Sequence, residues 1–281
     1  MRAGGWIVSN SGVRSPRILY GTAWKKGDTA ALVQQALDCG FRGIDTACQP
    51  KHYNEPGVGD GIAASLDHSL SRDDLFLQTK FTPYSGQDPQ HIPYDAHAPL
   101  PEQVAQSCAA SLRNLRTTRI DSLLLHSPLP DFRQTLQVWQ ALERLVDAGS
   151  VGQIGISNCY DVEVFKKLHD AARIKPSVVQ NRFHAPTGYD KALRAWCRAR
   201  DIVYQSFWTL TANPTLLAHA TVRTLAARHE RTAAQILFRY LTQIDVVPLT
   251  GTRREIHMRE DLAILDFELA AEEIDAVTAL L

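Results

Sequence analysis

The chain has 281 residues, 44% of them hydrophobic and 21% charged, which is enough for one large core or two small ones. Thirty basic residues balance thirty acidic ones, so no basic excess argues for nucleic acid or an anionic membrane, and no run approaches the ~20 apolar residues of a membrane span. Five scattered cysteines (Cys39, Cys48, Cys108, Cys159, Cys197) contain no C-x-x-C pair; they fit reduced thiols in a cytoplasmic protein, not a disulfide frame or a zinc knuckle.

The opening "MRAGGWIVSNSG" has no long apolar core and does not read as a signal peptide. Residues 18–24 are strand-like, and 29–39 place Leu32, Val33, Ala36 and Leu37 at helical spacing. A strand over 43–47, a helix over 58–70 and a strand over 75–81 follow, then a loop rich in Pro, His and Gly over 82–100. The alternation continues with a helix at 102–115, a strand at 121–126, a helix at 132–148, a strand at 154–158 and a helix at 162–172. Strand 178–183, helix 189–200 and strand 202–207 come next, then helical segments at 216–229 and 232–242. An eighth strand at 246–249 precedes helices at 254–263 and 271–280.

Parallel strands need crossover helices, and eight strands is the number that closes a (β/α)8 TIM barrel, an α/β fold of roughly 250 residues in one domain. A doubly wound open sheet would want G-x-G-x-x-G directly after the first strand, but the chain has "YGTAWKKGD" there. "GVGDG" at 57–61 follows the second strand and reads as a helix entry. With no internal repeat or low-complexity linker, residues 1–281 read as one domain.

Active sites of such barrels lie at the C-terminal strand ends. Asp45, Lys80 and His126 end the second, third and fourth strands, Ser157 and Asn158 the fifth, and Gln180 lies on the sixth. Singly, Asp45 can cap a turn, Lys80 can snorkel to water and His126 can be a structural histidine. Together they meet in one mouth, where a buried acid and lysine must pair. A lysine near Tyr53, in the loop after Asp45, would pull the phenol pKa below its usual ~10, as a general acid near neutral pH requires.

These residues resemble those of the aldo-keto reductases, NAD(P)H-dependent carbonyl reductases on (β/α)8 barrels. The resemblance rests on "GTAWK", "GFRGIDTA", "NEPGVG", "LQTKF", "IDSLLLHSP", "GQIGISN", "VVQNRFH" and "LAILDFEL", in order over nearly the whole chain. It implies a catalytic tetrad of Asp45, Tyr53, Lys80 and His126. The family's tyrosine usually stands two residues before Asn-Glu, whereas Tyr53 directly precedes Asn54 here, eight positions after Asp45. Counting back from Asn54 puts His52 in that place, so His52 is the alternative proton donor. By the resemblance, hydride reaches the carbonyl carbon, Tyr53 protonates the oxygen, Lys80 (held by Asp45) stabilises the phenolate, and His126 positions the carbonyl.

The resemblance also implies a cofactor, NADP with NAD as the alternative. Ser157, Asn158 and Gln180 would hold the carboxamide and Phe207 would stack on the nicotinamide, with further contacts from Thr22 and Leu210. Beyond the last strand, Leu249 replaces the family's lysine, leaving Thr250, Gly251 and Thr252 near a helix start, with Arg253, Arg254 or Arg259 for a 2′-phosphate. Those arginines are otherwise a solvated helix face. Trp24, Phe81, Tyr84 and Trp208 are the candidate substrate residues, in an open site with no long C-terminal loop. The expected partner is a small carbonyl substrate, for a cytoplasmic monomer or weak dimer. No metal is expected: the histidines show no H-x-x-x-H pair on a helix, and Asp45, His126 and His184 make a poor ligand set. The rivals are a non-catalytic NADP-binding regulatory subunit and a metal-dependent barrel hydrolase.

Overall fold

Short apolar runs cannot satisfy their backbone groups alone, and here they pair side by side until no edge remains. The computed structural model describes residues 5–66 and 70–281. It begins with an antiparallel hairpin of β1 (Trp6–Val8) and β2 (Arg14–Pro16). Strands and helices then alternate: β3 (Leu19–Gly21), α1 (Thr29–Cys39), β4 (Gly43–Asp45), α2 (Glu55–Ser65), β5 (Phe76–Phe81), α3 (Leu100–Asn114), β6 (Ile120–Leu125) and α4 (Phe132–Asp147). The second half runs β7 (Val151–Ser157), α5 (Val162–Ala171), β8 (Val178–Arg182), α6 (Lys191–Arg198), β9 (Val203–Phe207), α7 (Pro214–Leu217), α8 (Ala220–Arg228), α9 (Ala233–Gln243), β10 (Val246–Thr250), α10 (Glu255–Leu262) and α11 (Ala271–Thr278). Strands β3 to β10 are parallel, and β10 returns to β3 with Leu249 opposite Leu19, closing the barrel. This is the (β/α)8 fold that the alternation predicts.

Side-chain alternation sorts each strand. Leu19, Phe76, Leu124, Val178, Val203 and Val247 fill the lower barrel, with Trp6, Ile7 and Val13 of the hairpin region packed against them. Residues of the other parity, such as Ile44, Leu77, Leu123, Leu125 and Ile156, face the helices in the main core. Two positions above the lower layer the interior turns polar: Gln78 above Phe76, Gln180 above Val178 and Gln205 above Val203, all buried. Two positions higher still stand Lys80, Arg182 and Phe207.

Several boundaries depart from the predicted elements, and those of α2 and α6 bear on the site. Helix α2 starts at Glu55, not at 58, because Asn54 caps it by accepting from the Gly57 N–H, and Pro56 is tolerated in a first turn. It ends at Ser65; the predicted extension to 70 runs into residues 67–69, which lie outside the described residues. Helix α6 starts at Lys191, not at 189, because Gly188, Tyr189 and Asp190 all take positive φ.

Candidate active site

Strand ends β4 and β5 bring two opposite charges together. Lys80 is fully buried and donates to both carboxylate oxygens of Asp45 (2.8 and 2.7 Å) and to the Thr46 carbonyl (2.8 Å). Gln78 and Gln180 also donate to Asp45 Oδ1, at 2.8 and 3.0 Å, and both amides donate to Gln205 Oε1. This completes the hydrogen bonding that a buried ion pair needs. Burial lowers the Lys80 pKa, and Asp45 opposes that shift. Thr22 is also buried and bonds the Asp45 carbonyl through its hydroxyl (3.0 Å), so its side chain props the strand end.

The loop after β4 carries Tyr53 back over this pair. The backbone N–H groups of His52 and Tyr53 both donate to the Gln49 carbonyl, a turn that takes up the extra loop length. Lys80 Nζ lies 5.5 Å from the Tyr53 ring centroid, and the ring meets His126 edge-on at 6.0 Å. The predicted acidification of the phenol is reversed. Burial first, then the Asp45 charge, push the Tyr53 pKa above its ordinary value. The Lys80 charge is spent on Asp45, so desolvation of the phenolate dominates. His52 turns the other way and stacks on Trp24, with ring centroids 3.9 Å apart, and its Nδ1 is buried without a partner among the described residues.

His126 Nδ1 lies 2.6 Å from Thr82 Oγ1. Burial, then Lys80 and His52, lower its pKa to about 3, so the ring is neutral. Either group can donate in this contact; with the hydroxyl as donor, the ring hydrogen sits on Nε2. Thr82 was missed in the sequence; its only signal was its position directly after the β5 strand that carries Lys80.

The cofactor candidates divide. Ser157 and Gln180 are register partners, with Ser157 Oγ donating to the Gln180 carbonyl at 2.7 Å. Asn158 sits at positive φ, donates to the His126 carbonyl (2.9 Å) and accepts from Tyr160 (3.3 Å). Phe207 is half-buried, while Leu210 packs against the main core. The Thr250 hydroxyl is committed to Asp261 (2.6 Å), whose pKa burial raises to about 7. The Gly251 carbonyl accepts from Lys25, and the Thr252 carbonyl accepts from Tyr20 (2.9 Å). Arg253 pairs with Asp28 and Arg259 with Glu255. Arg254 has no carboxylate partner among the described residues and lies 3.4 Å from His257. Lys25, also missed although it stands in "GTAWK", is buried over the Tyr20 ring, again with no carboxylate partner among the described residues; burial and Arg253 lower its pKa to about 8.

Of the substrate candidates, Trp24, Tyr84 and Trp208 are exposed, whereas Phe81 is buried and packs on Tyr94 at 5.6 Å. The Phe81 expectation is therefore corrected: it follows the inward-facing Lys80, and strand alternation turns it to the helix side. Among the described residues, no group of three or more His, Cys, Asp or Glu is placed to hold a metal, and no helix is long and apolar enough to cross a membrane.

A closed parallel barrel with an ammonium–carboxylate pair, a phenol and a neutral imidazole at one mouth is the architecture of a (β/α)8 oxidoreductase. The profile of the Aldo/keto reductase family matches residues 15–281, and the chain belongs to that family. It is 32% identical to the glyoxal reductase of Bacillus subtilis (strain 168) over 249 residues, covering 88% of this chain and 82% of that one. It is 30% identical to the methylglyoxal reductase DkgA of Yersinia pestis, covering 90% of this chain and 84% of that one. Among solved structures, an aldo/keto reductase from Brucella melitensis superposes with a TM-score of 0.83 at 28% identity, covering 98% of both chains. A Bombyx mori aldo-keto reductase in complex with NADP gives 0.82 at 25% identity, covering 98% of this chain and 92% of that one.

Proposed function

We propose that the protein reduces a small aldehyde or ketone to an alcohol with NAD(P)H, with Tyr53 as the proton donor. The observation that carries the reading is Lys80, fully buried, paired with Asp45 and 5.5 Å from the Tyr53 ring centroid. When bound, NAD(P)H would supply hydride to the carbonyl carbon, and negative charge would develop on the carbonyl oxygen. His126, neutral, donates Nε2–H to that oxygen and orients it. Tyr53 gives its proton; its raised pKa keeps it protonated until an alkoxide forms. Lys80 then faces the phenolate left behind, and Asp45 holds Lys80 in place.

The residues fit a dinucleotide. Lys25 is a buried cation without a carboxylate partner among the described residues, facing the loop after β10, as an anionic group would require. Ser157, Asn158 and Gln180 would hold the carboxamide, and Phe207 the ring face. Arg254, whose guanidinium in that loop is not taken up by a described carboxylate, would take a 2′-phosphate, which favours NADPH over NADH. The five scattered cysteines, without a disulfide pattern, support a cytoplasmic enzyme, which we take to act as a monomer or weak dimer.

The test is turnover of methylglyoxal and 4-nitrobenzaldehyde, read as loss of NADPH absorbance. Tyr53→Phe should lower kcat by about 100-fold or more while NADPH still quenches tryptophan fluorescence; His52→Gln should keep most of the rate. Loss in His52→Gln alone would move the donor role to His52. Tight NADPH binding without turnover on a broad carbonyl panel would favour a regulatory subunit.

A further inference from the structure

Arg182 is the last residue of β8 and shares the parity of Val178 and Gln180, so it points into the barrel mouth one layer above the Gln180–Asp45 contact. Its register partner on β9 is Phe207. Its guanidinium carbon lies over the exposed ring of Trp208, 4.3 Å from the centroid. Stacking satisfies the face of the guanidinium and leaves its N–H edge unanswered. Among the described residues it forms no ion pair, and its Nε is buried without a hydrogen-bond partner. Asp190 lies across the strand and is already bonded by Asn181 (2.7 Å) and Tyr204 (2.9 Å). A second buried orphan, Nε2 of His184, lies in the same corner, where the His184 ring stands 6.2 Å from that of Tyr160. A stacked, half-buried guanidinium with an idle planar edge is built to receive a carboxylate in a two-point contact.

We propose that Arg182 is a specificity-determining residue and that the preferred substrates are carbonyl compounds bearing a carboxylate, whose anionic end docks on the Arg182 edge beside Trp208. This rests on the reductase reading above. The carbonyl lies at the Tyr53–His126 side of the mouth and the carboxylate at the β8–β9 side. The contact with Trp208 restrains the guanidinium, so less rotamer freedom is lost on binding.

Two matched pairs test it in the NADPH-dependent assay: 4-carboxybenzaldehyde against 4-nitrobenzaldehyde, and succinic semialdehyde against butanal. In the parent, kcat/KM should favour the acid of each pair. Arg182→Gln should lower the acid-to-neutral ratio about tenfold or more, mainly through KM, and Arg182→Lys should restore part of it. An unchanged ratio would overturn the proposal. So would an equal weakening of NADPH binding in Arg182→Gln, which would assign the guanidinium to the cofactor's own anionic groups. Benzoate titrated against NADP-loaded protein gives a readout that needs no turnover. Saturable quenching of tryptophan fluorescence, absent with benzamide and lost in Arg182→Gln, supports the carboxylate site. Saturable benzoate binding without turnover of any aldehyde would count against the reductase reading alone, and no benzoate binding would sink the carboxylate site.

Discussion

His126 is held neutral, so the ring has one nitrogen that donates and one that accepts. Its usefulness then depends on which nitrogen carries the hydrogen, and the Thr82 hydroxyl, 2.6 Å from Nδ1, is the group that bears on it. Thr82→Val keeps the shape but removes that partner. Steady-state kinetics should show kcat/KM about tenfold lower, with NADPH affinity unchanged; an unaltered rate would mean the tautomer is set elsewhere. The same ring links stability to pH. Its folded pKa, about 3, lies below the ordinary 6.5, so on acidification the unfolded chain takes up the proton first. The contribution of neutral His126 is whole above pH 6.5 and is lost progressively as the pH falls toward 3. His126→Gln should therefore lose less stability than the parent between those limits, seen as a shallower fall of the urea midpoint with pH. Parallel curves would show that His126 is not held neutral. For the tyrosine, the sign of the shift could not be read from the sequence. The Asp45–Lys80 pair was expected, and a lysine near a phenol predicts acidification; the depth to which Tyr53 is buried, the largest cause of its raised pKa, emerges only with the fold.

At the level of elements, the strands were easier to read than the turns between them. Runs such as "LFLQTKF" and "SLLLHSP" announce strands by composition, and every barrel strand falls inside or within a few residues of its predicted span. The β1–β2 hairpin was missed because β2, Arg14–Pro16, carries no apolar run and ends in proline, which reads as a turn. Helix α2 was misplaced because Pro56 and Gly57 look like helix breakers, although their first-turn positions suit them. Its glycines have another use. A Cβ at Gly59 would run into the Asn114 carbonyl at the end of α3, so α2 and α3 touch backbone to backbone there. That contact also positions Glu55, buried and bonded to Thr79 (2.6 Å) and Asn114 (3.0 Å), two residues after Tyr53. Gly59→Ala should cost about 1–3 kcal/mol and lower Tm, with kcat falling as the Tyr53 loop shifts. Gly27→Ala, where an added Cβ meets nothing within 4 Å, is the control that should leave Tm nearly unchanged. Equal Tm values for the two variants would refute the close packing.

Across the whole molecule, the barrel interior grades from an apolar floor to a polar ceiling, and the ionic pair sits in the ceiling. The sequence revealed the strand-end residues Asp45, Lys80 and His126, because strand ends are where such barrels place chemistry. It held no sign of Gln78 and Gln205, which lie mid-strand and become meaningful only once closure brings β5, β8 and β9 around one carboxylate. This network separates what the pair does for folding from what it does for the reaction. Removing one partner leaves a buried charge without its counter-ion, whereas replacing both removes the charges together. Lys80→Met should therefore destabilise the protein by roughly 3–5 kcal/mol. In the double variant Asp45→Asn/Lys80→Met, the amide oxygen introduced on β4 can still accept from Gln78 and Gln180, so most of that loss should return. Both variants should be equally poor reductases, since neither presents an ammonium beneath Tyr53. Chemical denaturation and turnover measured on the same two proteins decide the matter: a double variant no more stable than the single one would show that the fold itself depends on the ion pair, and one that regained activity would remove Lys80 from the mechanism.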